Sequence, residues 1–193
     1  MLPHPPCKID QYSSPQAVKA LLSLVTFTEP ILDCTYGNGR FWVGSTRTII
    51  GCDRAYGRAR DCCCSFLALP FRDGSFELVV YDPPFHPSVH SHEEARFGSL
   101  GRNEIELKQL FVRGLHETWR VSGKYLLVKC QDYIHNHHPQ WMPLWCVAEL
   151  GEPYEWLIAT RPSKLVSGRW TQVKSLRRQH ADYILFSKVG LHR

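Results

Sequence analysis

The stretch EPILDCTYGNG, residues 29 to 39, runs an apolar segment into an acid and then two glycines. The apolar part reads as a short buried strand. Gly37 and Gly39 permit positive φ and let the backbone approach a ligand closely. A strand passing through a glycine turn into a helix is the opening unit of a parallel α/β sheet. Three more runs follow at short intervals: RTIIGCD (47–53), DCCCSFLAL (61–69) and FELVVYD (76–82). Near-continuous apolar strands broken by Gly and Asp are expected of a parallel sheet covered on both faces.

The rest of the chain continues the alternation. Residues 16–25 and 102–121 have helical periodicity, the second with Leu107, Leu110, Phe111, Leu115 and Trp119 on one side. Asn103 with Glu106 three later is a capping box. A strand at 123–130, a helix over 138–150 and strands at 154–160 and 182–188 complete the pattern. The expected fold is α/β: a Rossmann-like, doubly wound, mostly parallel sheet of about seven strands, its last two forming an antiparallel pair at one edge. Ser14 before Pro15 is a good N-cap for the first helix.

A chain of 193 residues, 44% hydrophobic and 21% charged, suits one ordinary globular domain over 1–193 and is not disordered. Its charge is unevenly placed. Arg161, Lys164, Arg169, Lys174, Arg177 and Arg178 share one segment with no acid, while the remainder is near neutral. A local cationic patch fits a polyanion, or else a solvated loop. No run approaches the ~18 apolar residues of a membrane span. MLPHPPCKID lacks a signal-peptide core, so a cytoplasmic location is expected. The eight cysteines include no C-x-x-C pair, and Cys62, Cys63 and Cys64 read as small buried hydrophobes alternating between strand faces.

In a doubly wound sheet, ligands sit beyond the carboxyl ends of the strands. Asp33 ends the first strand and Asp53, twenty residues on, ends the second. An acid at that distance accepts hydrogen bonds from ribose hydroxyls. The turn is not G-x-G-x-x-G, and its acid suits a cationic ligand end. S-adenosyl-L-methionine meets both demands, with Tyr36 packed beside it.

The fourth strand leads into VVYDPPFHPSVH (79–90). Pro83 and Pro84 fix φ and remove amide donors, leaving the Asp82 carboxylate and the carbonyls of Asp82 and Pro83 as acceptors next to the Phe85 ring. Such a set can hold an exocyclic amino group while the ring stacks on its base. Accepting both N–H hydrogens frees the nitrogen lone pair for attack on an electrophilic methyl.

LDCTYGNGRFW, GCD and VVYDPPFH, in this order, closely resemble the motifs of S-adenosylmethionine-dependent nucleic-acid amino-methyltransferases with a [D/N/S]-P-P-[Y/F/W] loop. YLLVKCQD with RP, GRWTQV and RRQHADYILF resembles the small bacterial and phage DNA methyltransferases among them. The resemblance implies that Tyr12, Asp33, Thr35, Tyr36, Gly37, Gly39, Asp53, Ser65 and Phe66 bind the cofactor. Asp82, Pro83, Pro84 and Phe85 then hold a flipped base, adenine N6 before cytosine N4. Ser65 stands where the family often has Asp, and Cys34 where many members have Pro. No insertion for target recognition is seen, so specificity is expected from loops or a partner, or is expected to be low.

Alternatives stay open. The amino group could belong to structured RNA, or the chain could be a catalytically silent nucleic-acid-binding subunit. A carbon-methylating enzyme would need a cysteine after the fourth strand, and none is there. His86, His90, His92, His135, His137 and His138 match no standard zinc spacing, and no metal is expected. Residues 86–101 are expected to form a lid. His86 is a candidate nucleic-acid contact, and Lys129, Gln131 and Asp132 are either substrate contacts or plain strand-end polars. In the basic loop, about 161–180, Lys164, Arg169, Trp170, Lys174, Arg177 and Arg178 are expected to grip DNA phosphates and bases. DNA is favoured over RNA as partner; oligomeric state is not legible.

Overall fold

A computed structural model describes residues 7–10, 12–84, 103–135, 138–160 and 180–189. Its centre is a sheet of eight strands in the spatial order β4-β3-β2-β5-β6-β10-β9-β1. These are β1 (Cys7–Asp10), β2 (Ile31–Asp33), β3 (Ile49–Asp53), β4 (Cys62–Cys63), β5 (Phe76–Tyr81), β6 (Ser122–Cys130), β9 (Glu155–Thr160) and β10 (His180–Ser187). A separate hairpin joins β7 (Tyr133–His135) to β8 (His138–Gln140). Every pairing in the large sheet is parallel except those of β10, which is antiparallel to both β6 and β9. The antiparallel pair expected at one edge forms, and β1 extends that edge by pairing with β9.

Side-chain alternation divides the core in two. Leu32, Val79, Tyr81, Leu126 and Val128 face α2 (Glu104–Val121) and α3 (Met142–Leu150), against Leu107, Phe111, Leu115, Met142 and Cys146. Ile31, Leu78, Val80 and Leu127 face the other way, toward α1 (Ser14–Leu22), against Ala17, Val18, Leu21 and Leu22. Both faces are therefore covered, as the apolar strands require. Burying each such Leu, Val or Phe contributes about 1.5–3 kcal/mol.

The helix ends follow local chemistry. Asn103 caps α2, its side chain accepting from the Glu106 amide at 3.0 Å. For α1 the cap is Ser13 rather than Ser14: the Ser13 amide donates to Gln16 Oε1 at 2.9 Å, and Pro15 sits in the first turn. The helix expected from residue 138 starts at Met142, because residues 138–140 are taken up by the hairpin.

Two expectations fail between β2 and β5. The glycine turn does not feed an α-helix; it enters a single 3-10 turn, Arg40–Trp42. Phe41 and Trp42 nevertheless pack into the α1-side core as a helix would. The strand read over 61–69 contracts to Cys62–Cys63. Beyond it Ser65 Oγ accepts from the Leu67 amide at 3.2 Å and Ser65 O from the Ala68 amide at 3.0 Å, a turn that ends pairing. At the far side of the sheet the last pair of β9 and β10 joins Thr160 to His180, so both feet of the 161–179 segment stand together. Among the described residues no helix is long and apolar enough to cross a membrane.

Helix α2 crosses the sheet closely at Gly114. A Cβ built there would lie 2.7 Å from the Phe66 ring and against the Tyr81 hydroxyl. Tyr81 Oη in turn donates to the Phe111 carbonyl at 3.1 Å. Gly114→Ala is expected to destabilise the fold by about 1–3 kcal/mol through overpacking, despite gaining about 1 kcal/mol of helix propensity. A urea unfolding midpoint that stays put or rises would show that α2 has room to retreat.

Candidate functional site

Strands β2, β3, β5 and β6 end side by side, and each ends in or beside a charged residue: Asp33, Asp53, Asp82 and Lys129. Parallel pairing puts these termini on one edge, since Asp33 is opposite both Gly51 and Val80, and Tyr81 is opposite Val128.

The loop after β2 is tied down from both flanks. Gly37 and Gly39 have φ of 57° and 63°, in the left-handed region that favours glycine. The Gly37 amide donates to Asp53 Oδ2 at 3.1 Å, and the Tyr36 amide donates to the Cys52 carbonyl at 2.9 Å. Asp53 Oδ1 accepts from the Ala55 amide at 2.8 Å. The Tyr36 ring folds back over Gly39 and Gly51; a Cβ on Gly39 would sit 2.6 Å from its hydroxyl oxygen. Tyr36 thus packs the inner side of its own loop.

Asp33 is 2% exposed. Its Oδ2 accepts from Trp42 Nε1 at 2.7 Å and its Oδ1 from the Thr35 amide at 3.1 Å. Burial pushes its pKa up to about 7; the Trp42 and Thr35 bonds oppose the rise, and the nearby Asp82 carboxylate adds to it.

Asp82 lies across a hydrogen bond from the same loop: its amide donates to Thr35 Oγ1 at 2.7 Å. Pro83 is buried and Pro84 half-buried. Asp82 Oδ2 is 2.9 Å from Lys129 Nζ, in a pair whose side chains are 22% and 10% exposed. Lys129 Nζ also sits 5.1 Å from the Phe41 ring centroid, a cation–π contact. The acceptor set read from the sequence therefore has an ammonium donor beside it. Asp82 Oδ1 accepts nothing from the described residues.

The remaining candidates divide. Tyr12 packs at the margin of the α1-side core. Ser65 is occupied in its own turn, and the Phe66 ring is turned into the α2-side layer, edge-on to Tyr81 at 5.4 Å. Phe85, His86, Lys164, Arg169, Trp170, Lys174, Arg177 and Arg178 lie outside the described residues, as do the lid at 86–101 and most of the basic loop.

Sequence reasoning did not find Phe41 and Trp42 as partners of Lys129 and Asp33. It also missed a cluster at the neighbouring strand end. Trp156 Nε1 donates to buried Asp182 Oδ1 at 2.9 Å, and His180 Nε2 lies 3.3 Å from Asp182 and 3.8 Å from Asp132. Burial pushes the Asp182 pKa up to about 6, against the Trp156 bond and His180. Of these residues the sequence marks only Asp132, as a strand-end polar; β10 lies between β6 and β9, and that insertion brings Trp156 and Asp132 to His180 and Asp182.

Known proteins enter the comparison through structure. No family model matches the chain, and no curated protein matches it in sequence. A Thermotoga maritima protein described as an S-adenosylmethionine-dependent methyltransferase, possible histamine N-methyltransferase, superposes with a TM-score of 0.52. It is 15% identical, over 91% of this chain and 87% of that one. A methyltransferase of the same cofactor class from Methanosarcina mazei gives 0.53 at 12% identity, over 88% and 96%. A Thermus thermophilus protein described as a candidate DNA modification methylase, in complex with S-adenosyl-L-methionine, overlaps more loosely. Its TM-score is 0.43 at 16% identity, over 64% of this chain and 52% of that one. The first two likenesses establish the Rossmann-like methyltransferase fold.

The buried acid gives a signed pH effect. The Asp33 pKa is raised from 3.8 to about 7, so the folded state holds a proton that the unfolded chain releases between those values. The stabilisation is complete below about pH 4 and is lost as pH rises through 7. In urea unfolding across that window, Asp33→Asn should remove this fall, leaving a flatter profile than the unmodified chain. Parallel profiles would mean that Asp33 is ionised throughout.

Proposed function

We propose that the chain transfers a methyl group from S-adenosyl-L-methionine to an exocyclic amino nitrogen of a base in DNA, with adenine N6 as the target. One observation carries the reading. The Asp82 amide is hydrogen-bonded to Thr35 Oγ1, which fastens the acceptor-rich Asp82-Pro83-Pro84 segment directly to the glycine loop. Cofactor pocket and amino-group acceptors then share one boundary, as transfer between them requires.

The residues suit this cofactor. Each Asp53 oxygen takes one backbone amide and keeps a lone pair for a ribose hydroxyl. Gly37, whose missing side chain would meet nothing closer than the Thr35 carbonyl at 3.8 Å, leaves room at the same place. Asp33 and Asp53 give the loop the acidic surroundings that a cationic ligand favours. When bound, S-adenosylmethionine supplies an electrophilic methyl on a positively charged sulfur.

The chain's own groups act on the amino substrate. Asp82 Oδ1 and the Pro83 carbonyl accept its two N–H bonds, draw the nitrogen out of conjugation, and stabilise the positive charge that grows on it. One preorganised partner of this kind is worth about 3–4 kcal/mol. Lys129, held at 2.9 Å on Oδ2, fixes the orientation of the carboxylate and leaves Oδ1 toward the substrate. Prolines at 83 and 84 add no competing donor. The base must leave its stack to reach Asp82, since its amino group is otherwise buried in pairing. Phe85 stacks on the flipped base, and His86, Lys164, Arg169, Trp170, Lys174, Arg177 and Arg178 hold the flanking DNA. The resemblance of the DPPF loop and of the C-terminal motifs to small DNA methyltransferases supports DNA over RNA.

Purified protein incubated with methyl-labelled cofactor should label DNA, and digestion should yield N6-methyladenine by mass. Label confined to RNA would remove the DNA assignment. Asp82→Ala should lower transfer by at least about 10²–10³-fold with cofactor binding largely retained; loss of binding instead would assign Asp82 to the cofactor. For the basic loop, replacing Arg177 and Arg178 with Gln should lower the slope of log affinity against log salt by about 0.9 per lost phosphate contact. An unchanged slope would make those arginines structural.

A further inference from the structure

Parallel pairing also aligns thiols. Cys52 on β3 is the register partner of Cys62 on β4. Residues two apart on an extended chain share a face, which carries Cys64 to the side of Cys62. Cys63 is turned away and exposed, its Sγ 3.4 Å from the Arg54 carbonyl. The Sγ atoms of Cys52, Cys62 and Cys64 lie within 4.8 Å of one another. Cys34, one residue beyond Asp33, is buried, and its Sγ donates to the Val80 carbonyl of β5 at 3.0 Å. Of the three cysteines expected to serve as small buried hydrophobes, Cys63 is exposed, and Cys62 and Cys64 meet Cys52 across two strand ends.

We propose that Cys52, Cys62 and Cys64 form a binding site for a soft d10 metal ion of the zinc class. The donor set selects such ions, because thiolate sulfur prefers soft cations. Distance agrees as well. Zinc–sulfur bonds of about 2.3 Å hold three thiolates at roughly 4 Å from one another, a small side-chain rotation from the separations present. Access exists through Cys62 and Cys64, which are half-buried, while Cys52 forms the buried floor. The site adjoins the glycine loop: Cys52 O accepts from the Tyr36 amide at 2.9 Å, and the Cys64 amide donates to Asp53 O at 3.1 Å.

Binding must displace protons. The balanced step is one divalent ion plus three thiols giving a tris-thiolate complex of charge −1 and three protons. Affinity therefore rises with pH. Nothing in this step depends on methyl transfer.

Cys63 provides an internal control. Reduced protein is alkylated with iodoacetamide with and without one equivalent of Cd2+, and the peptide holding Cys62, Cys63 and Cys64 is mapped by fragment mass spectrometry. Cadmium should slow labelling at Cys62 and Cys64 severalfold and leave Cys63 unchanged, while a thiolate-to-cadmium absorbance band grows to a stoichiometric end point. Cys62→Ser with Cys64→Ser should weaken binding beyond the roughly 10–100-fold typical of an outer-shell loss; Cys63→Ser should not. Circular dichroism checks the variants, and the protection measurement needs only the unmodified chain. Equal protection of all three cysteines, or no band at one equivalent, would overturn the site.

Discussion

Register is the constraint on which the structure depends. β5 lies between β2 and β6 with Val80 opposite Asp33 and Tyr81 opposite Val128. A slip of one residue would turn Val79 and Tyr81 away from α2 and carry Leu78 and Val80 out of the α1 layer. It would also withdraw Asp82 from Thr35 and Lys129. The two-faced burial that makes the strands apolar is therefore the same force that fixes the charged strand ends. Core and site are specified together.

The charges at that edge are handled in three ways. Asp33 is taken out of water, which raises its pKa, and is given an indole and an amide donor that offset part of the rise. Asp53 spends one lone pair of each oxygen on backbone amides at the loop rim. Asp82 is matched by an ammonium that also rests against an aromatic face. Carboxylates so close together would repel if all were ionised and bare. Their separate partners let them coexist along one edge of the sheet.

Much of this is legible in the sequence, for a physical reason. Apolar runs that end in Asp and then meet Gly or Pro read as strand ends, so the places of Asp33, Asp53 and Asp82 at one edge of the sheet are found without coordinates. What escapes depends on non-local pairing. The Lys129–Asp82 contact needs the β5–β6 register, and the grouping of Cys52 with Cys62 and Cys64 needs that of β3 and β4. Composition also cannot separate a strand from an apolar turn, which is why SFLAL, bent by Ser65, reads as extended. Arg40–Trp42 does the packing of a helix in one turn because two aromatic side chains cover what several aliphatic ones would.

The joining of Thr160 to His180 at the site's own border has an evolutionary consequence. Because the ladder of β9 and β10 already brings those two points together, the sheet and not the intervening chain sets their separation. Doubling the length of a chain closed in this way costs only about 0.6 kcal/mol. Residues 161–179 can therefore be exchanged, lengthened or recharged with little burden on the sheet.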